Sequence, residues 1–317
     1  MGRKYFLAAA VCAVVAIVGY YIIDLSVVLD FVQTFEPWPF LFYAWVSIIV
    51  SYLFKTARFA VYLRKEISLD AMGFFRLFST SNVIFAIASF TPGQIGDILK
   101  LEYIRAERRI DRGRLYAIFV QEKILDLIAL SAVVIIAVKL RGFDFFAELN
   151  ATYALIAFAV FAALMGGTAV AVFMSARIRA LFYRLKALID PGALPAAIPL
   201  TAAFWFAVIW GWKEVWATHD LNFTYFETFF AIAGSTLISI VSLIPGAVGV
   251  SEVSTTAALM LFGADADDAL VASLLTRAYM FTIVLNGLLF LPPTAFVLWS
   301  LGVPAALWQK KIDRNDG

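Results

Sequence analysis

The stretch FTPGQIGDILKLEY, residues 90–103, sets Pro92, Gly93 and Gly96 against Asp97 and Lys100 directly after an apolar run. Proline removes a helical hydrogen bond, and unpaired backbone is costly away from water, so a helix breaks here for a reason. The pattern returns in SLIPGAVGVSE, residues 242–252, where Pro245, Gly246 and Gly249 precede Glu252. Placing Pro92 on Pro245, 153 residues later, brings Gly93 onto Gly246 and Gly96 onto Gly249. With 10 Pro and 18 Gly among 317 residues, chance supplies about 0.03 such motifs, so two in corresponding places indicate an internal repeat.

The surroundings of both turns are apolar. The chain is 63% hydrophobic and 15% charged, whereas soluble domains average about half and a quarter. Runs of the roughly 20 residues that cross a bilayer recur, at about 5–23, 40–62, 115–138, 151–174, 197–217 and 269–298. They are apolar all round rather than alternating, which excludes a β-barrel. The reading is an all-α polytopic membrane protein. The run after Arg3 and Lys4 is long for a signal peptide and lacks a small-residue cleavage site, so it reads as a retained span. Cys12 is the single cysteine, which excludes a disulfide framework. One His, His219 in THDLNF, argues against a zinc site and His-based catalysis. No GxxxxGK[ST] loop is present, so nothing points to ATP. No cofactor, metal or nucleic-acid partner is expected.

Lys and Arg mark cytoplasmic connections. Arg3 and Lys4 lie inside; Asp24, Asp30 and Glu36 lie outside; Arg64, Lys65 and Arg76, and later Arg105, Arg108, Arg109, Arg112 and Arg114, lie inside. The stretch of about 72–105 therefore begins and ends inside with a break at its middle, which predicts a re-entrant hairpin. The stretch of about 223–263 is flanked by Asp220, Asp265, Asp267 and Asp268 and dips from the opposite face. Lys310, Lys311 and Arg314 return the tail inside, so both termini are cytoplasmic. The expectation is six spans plus two re-entrant helical hairpins arranged as an inverted repeat, with halves 1–150 and 151–317. That construction is common in secondary transporters. Ile178, Leu181, Phe182, Leu185 and Leu188 predict an amphipathic helix on the inner surface. Trp38, Trp212, Trp216, Trp299 and Trp308 read as interfacial anchors.

Three charges, Glu122, Lys123 and Asp126, interrupt LYAIFVQEKILDLIALSAVV, residues 115–134. Each costs roughly 2.5–3.5 kcal/mol at the bilayer centre, so such groups face a partner or a wet cavity. Lys123 follows Pro92 by 31 residues and Arg277 follows Pro245 by 32, which puts both roughly 10–12 Å into their helices. Glu122, Lys123, Glu252 and Arg277 either pair to join the halves or hold a charged headgroup. Asn82, Gln94 and Asn286 fit helix–helix hydrogen bonds as well as substrate contacts.

At these residues the chain resembles the transmembrane flippase module of bacterial lysylphosphatidylglycerol synthases. The pieces that carry the resemblance are PGQIGDILK, VQEKILDLIAL, IPGAVGVSE, FGAD and the Arg277 helix. The family pattern has Glu, Arg and Arg where this chain has Asp97, Lys100 and Lys123, swaps that keep charge and change reach. The resemblance implies a lipid translocase of the bacterial inner membrane. Glu122, Lys123, Asp126, Glu252 and Arg277 would line its cavity, and Asp97 and Lys100 its cytoplasmic mouth. The sequence stops at Gly317 without a soluble aminoacyl-transfer domain, so a stand-alone member is expected. The lipid would be a phospholipid, an aminoacyl-lipid, or a polyprenyl-linked or hopanoid-type lipid. A lipid-modifying enzyme and a second copy of the chain are the fitting protein partners. Two rivals are a membrane-embedded enzyme using Asp97, Glu122 and Asp126 as acid/base groups, and a non-transporting scaffold.

Overall fold

The computed structural model describes residues 31–89, 97–108, 110–140, 190–242 and 245–300. The predicted spans at 5–23 and 151–174, the amphipathic stretch at 178–188, Cys12, Gln94 and the first-turn residues Pro92, Gly93 and Gly96 lie outside them. Among the described residues all regular structure is helical. The helices are α1 (Pro37–Leu63), α2 (Ala71–Ala88), α3 (Asp97–Arg108), α4 (Arg112–Leu140), α5 (Leu194–Ala217), α6 (Tyr225–Ser242), α7 (Val250–Met260) and α8 (Ala266–Ser300). Single 3-10 turns at Pro191–Ala193 and Pro245–Ala247 precede α5 and α7. Among the described residues, four segments are long and apolar enough to cross a membrane: Pro37–Leu63, Ala71–Ala88, Pro191–Ala217 and Ala266–Pro292.

The element order repeats along the chain. Pro37–Leu63 and Pro191–Ala217 are both 27 residues long, and Ala71–Ala88 and Tyr225–Ser242 are both 18. Pro37 and Pro191, Ala71 and Tyr225, and Arg112 and Ala266 each stand 154 positions apart. The signals that start these helices repeat with them. Asp70 accepts a hydrogen bond from the Gly73 amide at 2.7 Å. At the matching threshold, Thr224 and Glu227 exchange bonds of 2.9 and 3.3 Å in a capping box. Asp111 caps α4 through the Arg114 amide at 3.0 Å, and Asp265 stands at the same place before α8. Glu36 and Asp190 each precede the proline that opens a 27-residue segment. Each carboxylate or hydroxyl satisfies amide donors that the first helical turn leaves over.

The described residues gather into two compact units. The first comprises those within Met1–Thr56, Asp70–Lys100 and Ala203–Gly317; the second comprises those within Ala57–Leu69 and Leu101–Ala202.

In the first unit, α1 buries Phe40, Ala44, Ile48 and Tyr52, a four-residue spacing that forms one stripe. These residues join Ile209, Trp212 and Trp216 of α5 and Ala272, Leu275 and Tyr279 of α8 in one core. Trp212 and Trp216, expected at the membrane interface, are instead buried at 5% and 0% exposure. Trp212 stacks on Tyr279 with ring centroids 4.1 Å apart, and the Trp216 Nε1 donates to the Ala272 carbonyl at 3.0 Å. Burying a Trp requires a partner for its N–H, and a backbone carbonyl supplies it. Trp38 is 80% exposed. The Asn286 amide donates to the Asn82 Oδ1 at 2.6 Å and accepts from the Trp45 Nε1 at 3.0 Å, so both asparagines serve helix–helix contact. On the outer side of α8, Phe281, Leu285, Leu288 and Leu289 are exposed. An apolar exterior around polar interior contacts suits hydrocarbon as the solvent.

His219 stands in the turn after α5 and packs on the Phe31 and Phe35 rings at 5.2 and 5.6 Å. Burial there pushes its imidazole below the usual value.

Gly211 lets α5 approach α1 closely. A Cβ built on it would stand 2.0 Å from the Ser47 hydroxyl oxygen and 2.1 Å from the Ser47 Cβ. Gly211→Ala therefore forces the helices apart, at about 1–3 kcal/mol. Thermal unfolding in detergent should show the loss, and adding Ser47→Gly should recover much of it.

Candidate functional site

The second unit contains a guanidinium enclosed by protein. Arg58, on α1, is 0% exposed. Its two terminal nitrogens donate to the two carboxylate oxygens of Asp126 at 2.6 and 3.0 Å, the bidentate geometry of the strongest ion pairs. Its Nε reaches the Glu122 carboxylate at 3.4 Å. One terminal nitrogen also donates to the Thr201 hydroxyl at 2.9 Å, and that hydroxyl donates to the Ala197 carbonyl at 2.8 Å. Arg58 thus joins α1, α4 and α5. Glu122 and Asp126 are one helical turn apart, so both carboxylates share the face that meets Arg58. Ile124, Leu127 and Ile128 of α4 are exposed.

A polar frame holds the ends of the same helices. The Arg114 guanidinium donates to Glu66 at 2.9 Å and to the Tyr62 carbonyl at 3.3 Å. The Gln121 side-chain amide donates to the Asp190 carbonyl at 3.3 Å and accepts from the Asp190 amide at 3.4 Å. One Asp190 carboxylate oxygen receives the Lys65 ammonium at 2.9 Å and the Gly192 amide at 3.1 Å. The hydrogen bond from Lys65 holds that carboxyl below its usual range. Arg64 donates to the Gly192 carbonyl at 2.6 Å.

The first unit contains a second charged site, at the Pro245 turn. Gly246 has φ 62° and ψ 8°, Ala247 has φ 48°, and Gly249 has φ 80°. Three positive φ values within four residues reverse the chain, and glycine relieves two of them. The Arg277 guanidinium pairs with the Glu252 carboxylate. It also donates to the Gly246 carbonyl at 3.0 Å, the Ala247 carbonyl at 3.4 Å and the Ser251 hydroxyl at 2.9 Å. The other Glu252 oxygen accepts from the Gly249 amide and the Ser251 hydroxyl, both at 2.9 Å. One arginine thereby satisfies the carbonyls that the break frees, and one carboxylate satisfies the amide. The two side chains keep 23% and 25% of their surface accessible.

The structure therefore gathers Glu122 and Asp126 on Arg58, and Glu252 on Arg277. Lys123 is half-buried, with its ammonium over the Phe119 ring at 5.4 Å. Lys100 is 4% exposed. Asp97 begins α3. Sequence reasoning missed Arg58 and Thr201. The signal was present, since Lys55 and Arg58 interrupt the apolar run YLFKTARFAVYL, residues 52–63. The cost that singled out Glu122 applies equally to Arg58.

Truncating one partner of a buried ion pair strands the others. Arg58→Ala should cost about 3–5 kcal/mol, while removing Asp126 along with it (Arg58→Met with Asp126→Leu) should cost markedly less. Thermal unfolding of the purified variants checks the difference, and equal losses would contradict the pairing.

No curated protein and no solved structure gave a match. A family model described as the lysylphosphatidylglycerol synthase TM region matches residues 6–287. The match takes in both charged sites and both Pro-Gly-x-x-Gly turns, and the chain belongs to this family.

Proposed function

We propose that the protein is a lipid translocase that moves a polar-headgroup lipid between the leaflets of a bacterial inner membrane. The observation that carries this reading is the Arg277–Glu252 pair, part-exposed and set against a backbone break among apolar helices. A buried pair serving only as glue has little reason to keep accessible surface. Here the guanidinium can exchange the Gly246 and Ala247 carbonyls for headgroup oxygens, phosphate above all. Glu252 can then receive the donors of the same headgroup, while the acyl tails stay in hydrocarbon. Lys123, the repeat counterpart of Arg277, would serve the headgroup from the first half.

The 154-residue periodicity of helix starts supports a duplicated architecture with halves 1–150 and 151–317. In this reading each half has three spans and one re-entrant hairpin, and the second half is inverted. The hairpins then open to opposite faces, which gives a headgroup a path from each leaflet. Both termini lie in the cytoplasm. Family membership supports a role in lipid modification or translocation, and the charged turn favours the second.

The test is transfer of a fluorescent phospholipid between leaflets of liposomes holding the pure protein. Arg277→Ala and Lys123→Ala should each slow transfer by about tenfold or more, the worth of one charge-assisted contact, while membrane insertion is retained. Wild-type rates in both variants would sink the assignment. Topology is checked in a Cys12→Ser background with a single cysteine at Gln94 or Val248. An impermeant thiol reagent should label position 248 in intact cells and position 94 after opening them. The reverse pattern would remove the inverted hairpins.

A further inference from the structure

The repeat builds one joint in two chemistries. At 154 residues' distance Lys65 corresponds to His219, and Glu36 to Asp190. In the second unit the Lys65 ammonium meets the Asp190 carboxylate at 2.9 Å, so the turn after α1 is tied to the threshold of α5 by full charges. In the first unit the matching places are the turn after α5 and the threshold of α1. There the His219 ring lies against Phe31 and Phe35, with centroids 5.2 and 5.6 Å away. Glu36 is exposed and acts on the ring through electrostatics alone. A lysine–carboxylate pair does not titrate near neutral pH, whereas a histidine does.

The hydrogen bonds fix which nitrogen of His219 takes a proton. The Thr218 hydroxyl donates its single hydrogen to the Val215 carbonyl at 2.7 Å. The 3.0 Å bond between that hydroxyl and His219 Nδ1 is therefore donated by Nδ1, and the lone pair of the neutral ring is on Nε2. Nε2 is shut from solvent and has no hydrogen-bond partner among the described residues. A proton added there makes a charged N–H with no acceptor, which is costly in a buried place. The charged groups within electrostatic reach are Glu36, at the threshold of α1, and Asp220, the next residue of the turn. Both favour the imidazolium, and burial outweighs them, so the ring is held below its usual value. Its other neighbours, Phe31, Phe35 and Thr218, are neutral.

We propose that His219 is the proton-binding site of an acid-released joint: a proton on Nε2 expels the ring from Phe31 and Phe35 toward water and Glu36, and frees the turn after α5 from the threshold of α1. A proton passes from water to Nε2 and later returns, and no other covalent bond changes. The joint is built around the neutral ring. It is therefore complete above the ordinary histidine range, about 6.5, and is lost as pH falls below it. The Lys65–Asp190 joint of the second unit holds through the same range. Release reaches the Pro245 break, because α6 starts from this turn and ends beside that break. Freeing α6 then speeds headgroup passage at Arg277. This coupling rests on the translocase reading; the proton site and the release do not.

The chain has one histidine, so nitrogen NMR of the full chain in nanodiscs, purified through a histidine-free tag, reads this ring alone. At alkaline pH the hydrogen should be on Nδ1, the ring should titrate below the ordinary range, and Phe35→Ala should move the titration up. A hydrogen on Nε2 at alkaline pH, or a wild-type ring titrating in or above the ordinary range, overturns the site. Spin labels at Gln33→Cys and Asn222→Cys, in the Cys12→Ser background, should move apart as pH falls from about 7.5 to about 5. They should stay together in His219→Phe, which keeps the ring stack without the proton. An unchanged distance in the otherwise wild-type chain overturns the release. In liposomes, fluorescent phospholipid transfer should accelerate several-fold over the same fall in pH and ignore it in His219→Phe. Transfer indifferent to pH overturns the coupling. A titrating ring and separating labels in a protein that moves no lipid at any pH support the joint and overturn the translocase reading instead.

Discussion

A guanidinium among apolar helices has no water to share its charge with, and this constraint organises the second unit. Arg58 must meet its counter-charges on other helices, so α4 has to present Glu122 and Asp126 on one face and α5 has to bring Thr201. That fixes the rotation of α4 about its own axis. The opposite side of α4 is then free to carry Ile124, Leu127 and Ile128 outward. Arg277 meets the same constraint by a different route in the first unit, through turn carbonyls and one carboxylate. In both places an arginine substitutes for solvent: at the first it joins three helices, and at the second it covers broken backbone.

Much of the architecture was legible in the sequence because its signals are local. Apolar runs located α1, α4, α5 and α8 to within a few residues, and the second Pro-Gly-x-x-Gly located the turn between α6 and α7. Glu252 and Arg277 were legible because each is an expensive charge near a break. What escaped was decided by neighbours distant in sequence. Trp212 and Trp216 lie near a helix end, where membrane tryptophans often anchor, and the sequence does not show that Tyr279 and the Ala272 carbonyl await them. Arg58 was passed over because it sits near the charges Arg64 and Lys65, which mark the end of the span. Its burial follows from Asp126, 68 residues further on.

The two copies of the repeat use one helical plan with different chemistry. Where one has Arg58 and Tyr62 the other has Trp212 and Trp216, and where one has Thr201 the other has Ser47. Large side chains occupy the same places on α1 and α5, so volume is kept while polarity changes. The neutral copy has a stacked aromatic pair and a satisfied hydrogen-bond chain, the marks of a rigid joint. The charged copy joins its helices through the Arg58 guanidinium on Asp126, Glu122 and Thr201.

The caps at Asp70, Thr224, Asp111 and Asp190 are supplied from the threshold of the helix they serve. A helix finished in this way depends little on its neighbours for its start. Gene duplication can therefore copy such a stretch with the starts of its helices intact. The helix starts of the copy remain sound, so its other side chains are free to diverge.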